Sequence, residues 1–147
     1  MNLTYKKIDI NNCEEVVKIY DDNHNLKTDI EKLKNQIIKL DNNPDYYNMV
    51  VFLNDEIVGM FTAIVNQDIV QDLKPFITIW NLGVSKKHRR KGIATEMLKY
   101  IIDLGKDLGC DFVALIAEKG NEAAIKLYQN AQFQNEIGFV RFVNKDS

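Results

Sequence analysis

The chain has 147 residues, of which 46% are hydrophobic and 27% are charged. This length predicts one domain over residues 1–147, and the composition is typical of a folded protein rather than a disordered one. The formal net charge is −2, so we do not expect a nucleic-acid partner. The apolar runs are shorter than the roughly 20 residues that cross a bilayer, and we expect a cytoplasmic protein without membrane contact. The two cysteines do not indicate a structural disulfide.

The first half of the chain predicts a strand, two helices and a strand pair. The strand covers residues 3–8, and the helices cover residues 12–20 and 29–40. In the second helix Ile30, Leu33 and Ile37 recur at helical spacing. Two apolar runs, residues 49–53 and 57–65, follow as strands. A short turn, Asn54-Asp55-Glu56, joins them in the manner of a hairpin.

The second half alternates strands and helices after a polar connection over residues 66–75. A strand rich in β-branched and aromatic residues covers 76–84, and a helix with apolar spacing runs from Ile93 until Gly109 stops it. A strand over 112–117, a helix over 121–131 and a last strand over 136–143 complete the chain. This order predicts an α/β or α+β fold around one mixed sheet.

The loop between the strand at 76–84 and the following helix carries a basic run that ends at Gly92. The first turn of a helix leaves about four N–H groups without intrahelical partners, and the helix dipole puts partial positive charge there. Gly92 lets a ligand approach the backbone, while Arg89, Arg90 and Lys91 add donors. The loop therefore indicates a phosphate-binding site. It is neither a Walker A loop nor a dinucleotide fingerprint.

Two motifs give the chain a family resemblance. Arg89-Arg90-Lys91-Gly92-Ile93-Ala94 matches the pattern Arg/Gln-x-x-Gly-x-Gly/Ala, and Asn121 to Tyr128 matches Asn-x-x-Ala-x-x-Leu-Tyr, followed by Phe133. In this order they resemble the GNAT superfamily of acetyl-CoA-dependent N-acetyltransferases. The resemblance covers residues 50–143 well and the N-terminal third in general pattern.

The resemblance implies a GNAT-like fold, in which helices flank a mixed sheet with a splayed strand pair, and acetyl-CoA as cosubstrate without a metal. Backbone groups of the strand would pair with the pantetheine arm, and the basic loop would bind the pyrophosphate. Tyr128 would be the general acid that protonates the departing thiolate. Asn121 would bind pantetheine or a water, and it could also cap its helix. The implied cofactor-binding residues are Leu82, Gly83, Val84, Arg89, Arg90, Lys91, Gly92, Ile93, Ala94, Thr95, Asn121 and Tyr128.

Two positions depart from the family pattern. Gln132 replaces the glycine before Phe133, and Trp80 stands where related enzymes often carry a glutamate that acts as general base. The base is therefore open: Glu118, Asp68, Asp72 and a water relay are alternatives, or an amine of low pKa enters neutral. The two histidines, His24 and His88, are expected on the surface.

The leading hypothesis is direct acetyl transfer from acetyl-CoA to a primary amine in a ternary complex. A small-molecule acceptor is favoured over a peptide or protein. A non-catalytic CoA-binding regulatory module and a basic-loop interaction module are the alternatives from other functional classes. A homodimer is expected as well, through pairing of an exposed strand edge.

Overall fold

A computed structural model describes residues 1–144. The chain forms two compact units, the sheet unit Met1–Leu115 and a C-terminal unit that begins at Ile116. The sheet unit contains all five strands and three α-helices, and the C-terminal unit contains one α-helix within the described residues. One domain over residues 1–147 stays a prediction. No helix of residues 1–144 is both long and apolar enough to cross a bilayer.

The strands and α-helices follow the predicted order as far as the last helix. The sheet unit contains β1 Leu3–Lys7, α1 Cys13–His24, α2 Ile30–Asp41, β2 Tyr46–Leu53, β3 Glu56–Asn66, β4 Phe76–Val84, α3 Ile93–Asp107 and β5 Val113–Leu115. The C-terminal unit contains α4 Glu122–Asn130. Two short 3₁₀ turns, Gln71–Leu73 and Lys86–His88, lie in the connections that flank β4.

Most predicted elements are confirmed, and four differ. The second strand begins at Tyr46 rather than at residue 49. The first helix ends at His24 rather than Tyr20, because Asn25 in the left-handed region stops it. The strand predicted over 112–117 is reduced to β5. The strand predicted over 136–143 is wrong: among the described residues, 134–143 contain no strand, and Phe139 is 92% exposed there. An apolar run is not enough for a strand, because a strand also needs a partner for its backbone groups.

The sheet has the order β1-β2-β3-β4-β5. The first three pairings are antiparallel, and β4 pairs with β5 in parallel. That parallel pairing runs from Ile77 opposite Val113 to Ile79 opposite Leu115 and stops there, whereas β4 continues to Val84. The mixed sheet flanked by helices is thus confirmed, and the end of β4 extends beyond its pairing with β5.

The core lies on both faces of the sheet. On one face α1 contributes Cys13, Val16 and Ile19 to a cluster with Val50 and Met60. On the other face α3 packs against β3 and β4, and its helical spacing of apolar residues buries one side of the helix. The buried residues of α3 are Ile93, Met97, Leu98, Ile101 and Gly105. Both faces of β3 and β4 are therefore fixed by packing, which holds the end of β4 in place.

The α3 face predicts a clear stability difference between two isoleucines. Ile101 is 0% exposed, and Ile38 on α2 is 59% exposed. We expect Ile101→Ala to lower the free energy of unfolding by about 2–5 kcal/mol, because it removes a buried side chain and leaves a cavity. Ile38→Ala is the matched control and should change it by less than about 0.5 kcal/mol. Urea unfolding followed by circular dichroism measures both, and equal losses would contradict the assignment of α3 to the core.

Candidate active site

A β-bulge shapes the second half of β4. Met60 pairs with Gly83 and Thr62 with Trp80, so that Phe61 of β3 faces two residues of β4. One of those two, Asn81, has φ 59°, a left-handed conformation that asparagine tolerates better than most residues. Its side chain donates from Nδ2 to Thr62 Oγ1 at 3.2 Å, which holds the bulge to β3.

The bulge comes just before the three residues that the resemblance assigns to the pantetheine arm. Leu82, Gly83 and Val84 are half-buried, and the β3 side of the strand end stays bonded, with Ser85 N donating to Val58 O at 2.9 Å. Since the pairing with β5 stops at Ile79, the other edge at these residues carries no strand in the described part of the chain. An extended amide-bearing chain such as pantetheine can use peptide groups on such an edge.

The basic loop and the start of α3 fit a diphosphate. Gly92 has φ 80°, and a Cβ built there would meet no atom within 4 Å, so the space before α3 is open. The first helical hydrogen bond runs from Glu96 N to Gly92 O at 3.1 Å. The N–H groups of Ile93, Ala94 and Thr95 therefore point out of the helix end. The exposed cationic side chains beside it are Arg89, Arg90 and Lys91.

His88 is buried rather than on the surface, so that expectation was wrong. It is 6% exposed, its Nδ1 lies 2.6 Å from Ser85 Oγ, and its Nε2 lies 3.3 Å from Glu56 Oε2. The other oxygen of Glu56 accepts from Lys87 Nζ at 2.5 Å, and that bond holds the pKa of Glu56 below its usual value. The imidazole thus ties the start of the loop to the β2–β3 hairpin. The spacing of Glu56 and His88 in the chain gives no sequence signal for this contact.

Trp80 lies on β4 just before the bulge and is 44% exposed. Its Nε1 donates to Thr78 Oγ1 at 3.2 Å, and Asn66 Nδ2 donates to the same oxygen at 3.2 Å. Within residues 1–144 the indole thus has one hydrogen-bond partner, the Thr78 hydroxyl, and position 80 presents a half-exposed aromatic ring rather than a carboxylate.

A row of uncharged polar side chains lies on the same sheet face as Trp80. Thr62, only 7% exposed, is directly opposite Trp80 and donates from Oγ1 to Asn48 Oδ1 at 2.8 Å. Asn81 bonds to the same hydroxyl. We call these residues the polar face: Asn48, Thr62, Asn66, Thr78, Trp80 and Asn81. Sequence patterns did not reveal it, because its members come from three strands.

The C-terminal unit contains the second motif. Asn121 Oδ1 accepts from Ala124 N at 3.1 Å, so this side chain does cap α4. Tyr128 is half-buried, and burial raises the pKa of its phenol above the usual value. Gln132 adopts φ 68°, a left-handed conformation that strains a residue with a side chain and that glycine would take without this strain.

The carboxylates considered as bases lie in turns or are exposed. Asp68 accepts at Oδ1 from Ile69 N at 2.7 Å and from Val70 N at 3.2 Å, which makes it a turn-forming residue. Asp72 lies in the 3₁₀ turn with φ 57°, and Glu118 is exposed in the C-terminal unit. None of the three belongs to the polar face.

Comparison with known proteins establishes the family. Residues 13–133 match the acetyltransferase (GNAT) family, and the chain belongs to this family. The matched range includes both motifs, the basic loop before α3 and the segment from Asn121 to Phe133.

The chain is also similar to proteins of known sequence and structure. It matches only 15% to 59% of the length of the N-alpha-acetyltransferase 30 relatives, and the solved structures share its fold. The chain is 43% identical over 60 residues to N-alpha-acetyltransferase 30 of Xenopus laevis, a match that covers 41% of this chain and 20% of that protein. A putative acetyltransferase from Agrobacterium tumefaciens has the same fold, with a TM-score of 0.87, 15% identity and coverage of 95% and 99% of the two chains. A predicted acetyltransferase from Clostridium acetobutylicum, solved with acetyl-CoA, gives a TM-score of 0.73 at 17% identity, with 96% of each chain covered.

The two ends of α3 offer a matched test of the phosphate-binding loop. Gly92 and Gly109 both have positive φ, and neither has an atom within 4 Å of an added Cβ. Both alanine variants should lose similar stability, about 1 kcal/mol, from the left-handed backbone. We expect only Gly92→Ala to weaken acetyl-CoA binding, by about tenfold, because the resemblance assigns the diphosphate to its loop and the following N–H groups. Thermal melts and calorimetric titration measure the two effects, and equal binding losses would contradict the loop assignment.

Proposed function

We propose that this acetyltransferase moves the acetyl group directly from acetyl-CoA to a weakly basic primary amine within a ternary complex. The observation that carries the choice of acceptor is position 80, where Trp80 rather than a carboxylate lies opposite Thr62 and donates to the Thr78 hydroxyl. The family motifs and the geometry of β4 and its loop support the cosubstrate side of the reaction.

The proposed reaction needs no covalent enzyme intermediate. The neutral amine nitrogen attacks the thioester carbonyl carbon, and a tetrahedral oxyanion forms. A backbone N–H near the bulge of β4 would stabilise that oxyanion, as a preorganised donor does in acyl transfer. The C–S bond then breaks, the nitrogen loses its proton to water, and the CoA thiolate takes a proton from a general acid.

Tyr128 is the proposed general acid. It occupies the tyrosine position of the second family motif, and burial holds the pKa of its phenol above the ordinary value of about 10. A group with a raised pKa keeps its proton throughout the neutral range, so the phenol is in the donor form when the thiolate leaves. Asn121 caps the N-terminal end of the same helix and is proposed to bind pantetheine or an ordered water.

The acceptor argument starts from position 80. The resemblance places this position beside the amine, and here it holds the indole of Trp80, which cannot remove a proton. Its nearest bonded partner is the hydroxyl of Thr78, and Thr62 opposite it is also a hydroxyl. An acceptor at this face would therefore have to arrive as the neutral amine.

Amines differ strongly in how much neutral form they supply. An α-amino group has a pKa of about 7.7–8.0 and a lysine ε-amino group about 10.4, which gives the α-amine about 300 times more neutral form near pH 7.5. We therefore propose an α-amino acceptor. The relative named N-alpha-acetyltransferase 30 supports this choice. The proposed class of α-amino acceptors includes small molecules such as amino-acid amides, which match the small-molecule acceptor favoured by the sequence. It also includes peptide N-termini.

A matched pair of acceptors tests the proposal. One tripeptide has a free N-terminus and no lysine, and the other is blocked at its N-terminus and carries one lysine. Thiol release from acetyl-CoA should show a kcat/KM at least tenfold higher for the free N-terminus near pH 7.5. Its rate should level off at about pH 9, one unit above the α-amino pKa, where roughly nine tenths of the α-amine is neutral.

Other outcomes would point elsewhere. A kcat/KM for the lysine peptide or for a polyamine that equals or exceeds that of the α-amine would contradict the acceptor proposal. Tight acetyl-CoA binding without thiol release for any acceptor would favour the non-catalytic regulatory module. A homodimer and a cytoplasmic location stay predictions.

Tyr128→Phe tests the general acid. We expect kcat to fall about 100-fold, since general-acid help is typically worth 10²–10⁴, while the dissociation constant of acetyl-CoA stays within about twofold. Because the pKa of Tyr128 is raised, wild-type kcat should show no decline from loss of this proton below about pH 9.5. Tyr100→Phe, which keeps the ring stacked on Tyr5, is the control and should retain activity. An unchanged kcat for Tyr128→Phe would assign the proton to water or to another group.

A further inference from the structure

Within the described residues, Asn23 is the one side chain of α1 with hydrogen bonds to both parts of the proposed CoA site, the end of β4 and the basic loop. It lies in the last turn of the helix, far in sequence from β4 and from the loop. Its Nδ2 donates to Val84 O at 3.2 Å, and its Oδ1 accepts from Arg89 Nη2 at 2.5 Å. One side-chain amide therefore joins the end of β4 to Arg89, the first arginine of the basic loop.

The helix that carries Asn23 is fixed in place. Val16 and Ile19 are buried in the core, and Asp21 accepts at its carboxylate from the backbone N–H and the hydroxyl of Thr28, both at 2.8 Å. The last turn of α1 also lies against β4, because a Cβ added to Gly83 would be 3.5 Å from Asn23 Nδ2 and 3.7 Å from Ile19 Cγ2. The amide is thus held from behind by packed structure.

The hydrogen bond to Asn23 restrains the side chain of Arg89. Arg89 is exposed, and an unrestrained arginine loses rotamer entropy when a ligand fixes it. Asn23 uses one of the five guanidinium N–H donors and leaves the rest for an anion. Since Asn23 is neutral, it orients the guanidinium without neutralising it, so the full positive charge remains available to a diphosphate.

We propose that Asn23 is a positioning residue for acetyl-CoA, which orients Arg89 and the Val84 carbonyl so that α1, β4 and the loop bind CoA as one unit. This proposal rests on the proposed function, because it takes the loop as the pyrophosphate site. Asn23 does not touch the reacting atoms. Its effect should therefore appear in acetyl-CoA affinity rather than in the chemical step.

The test compares four variants of the full chain with wild type by calorimetric titration with acetyl-CoA and by steady-state kinetics. They are Asn23→Ala, the isosteric Asn23→Asp, Arg89→Ala and the double variant Asn23→Ala/Arg89→Ala. Asn23→Ala should raise the dissociation constant about fivefold to tenfold and raise KM similarly, with kcat within about twofold. In the Arg89→Ala background the same change should cost only about twofold, since coupled residues give non-additive effects.

Asn23→Asp provides the charge-specific outcome. A carboxylate at this position would pair with Arg89 and repel the diphosphate, so binding should be weaker than in Asn23→Ala at low salt, and the difference should shrink at high salt. Asp22→Ala is the matched control. Its exposed carboxylate pairs with Lys18 at 3.1 Å, and its removal should leave acetyl-CoA binding unchanged.

Three results would overturn the proposal. Wild-type affinity in both Asn23 variants would remove any role for the amide. Additive effects of Asn23→Ala and Arg89→Ala, or a loss of kcat with unchanged KM, would show that Asn23 does not act through Arg89. Absence of acetyl-CoA binding by folded wild-type protein would instead refute the CoA site itself, and thermal melts of every variant separate these results from loss of fold.

Discussion

In the described residues, the site depends on β4 having one edge paired with β3 and one edge without a neighbouring strand, the free edge, over its last residues. A mid-sheet strand has no peptide groups available for a ligand, because both edges are paired. Here β3 bonds one edge of β4 to its end, while the parallel pairing with β5 stops at Ile79. The bulge at Asn81 then twists the strand just before Leu82 to Val84, as bulges generally do. The free edge is possible only because packing on both sheet faces already holds the strand.

The loop after β4 shows the same division between fixed and open parts. His88, between Ser85 and Glu56, fixes its start from the hairpin side, and Asn23 holds Arg89 from the α1 side. Between this support and α3, Gly92 takes a left-handed conformation with open space around it. Backbone N–H groups can bind an anion well only if they are already oriented, because ordering a loop on binding costs free energy. The contacts on either side of the loop supply that order.

Local patterns predicted the elements whose causes are local, and missed what depends on distant partners. β4 was predicted at both ends, since Phe76 to Val84 combine β-propensity with a turn on each side. The loop after β4 was also predicted from a local pattern, the basic run that ends at Gly92. Its binding of a phosphate stays a prediction. The burial of His88 could not be predicted, because it depends on Glu56 across the hairpin. The run at 136–143 was wrongly predicted as a strand. Its apolar residues indicate β-propensity, but they do not show whether a neighbouring strand is present to bond its backbone.

The polar face explains how position 80 can hold a tryptophan in a family that often uses a glutamate there. A carboxylate beside the amine serves to remove a proton, and it also attracts cations such as protonated polyamines. Trp80 cannot remove a proton. Its Nε1 donates to Thr78 Oγ1, and its half-exposed ring adds apolar contact area next to two hydroxyls. Such a surface suits an acceptor whose amine is neutral without help and whose neighbouring atoms are amides or apolar groups. An α-amino compound meets both conditions, so the loss of the glutamate is consistent with a change of acceptor rather than with a loss of catalysis.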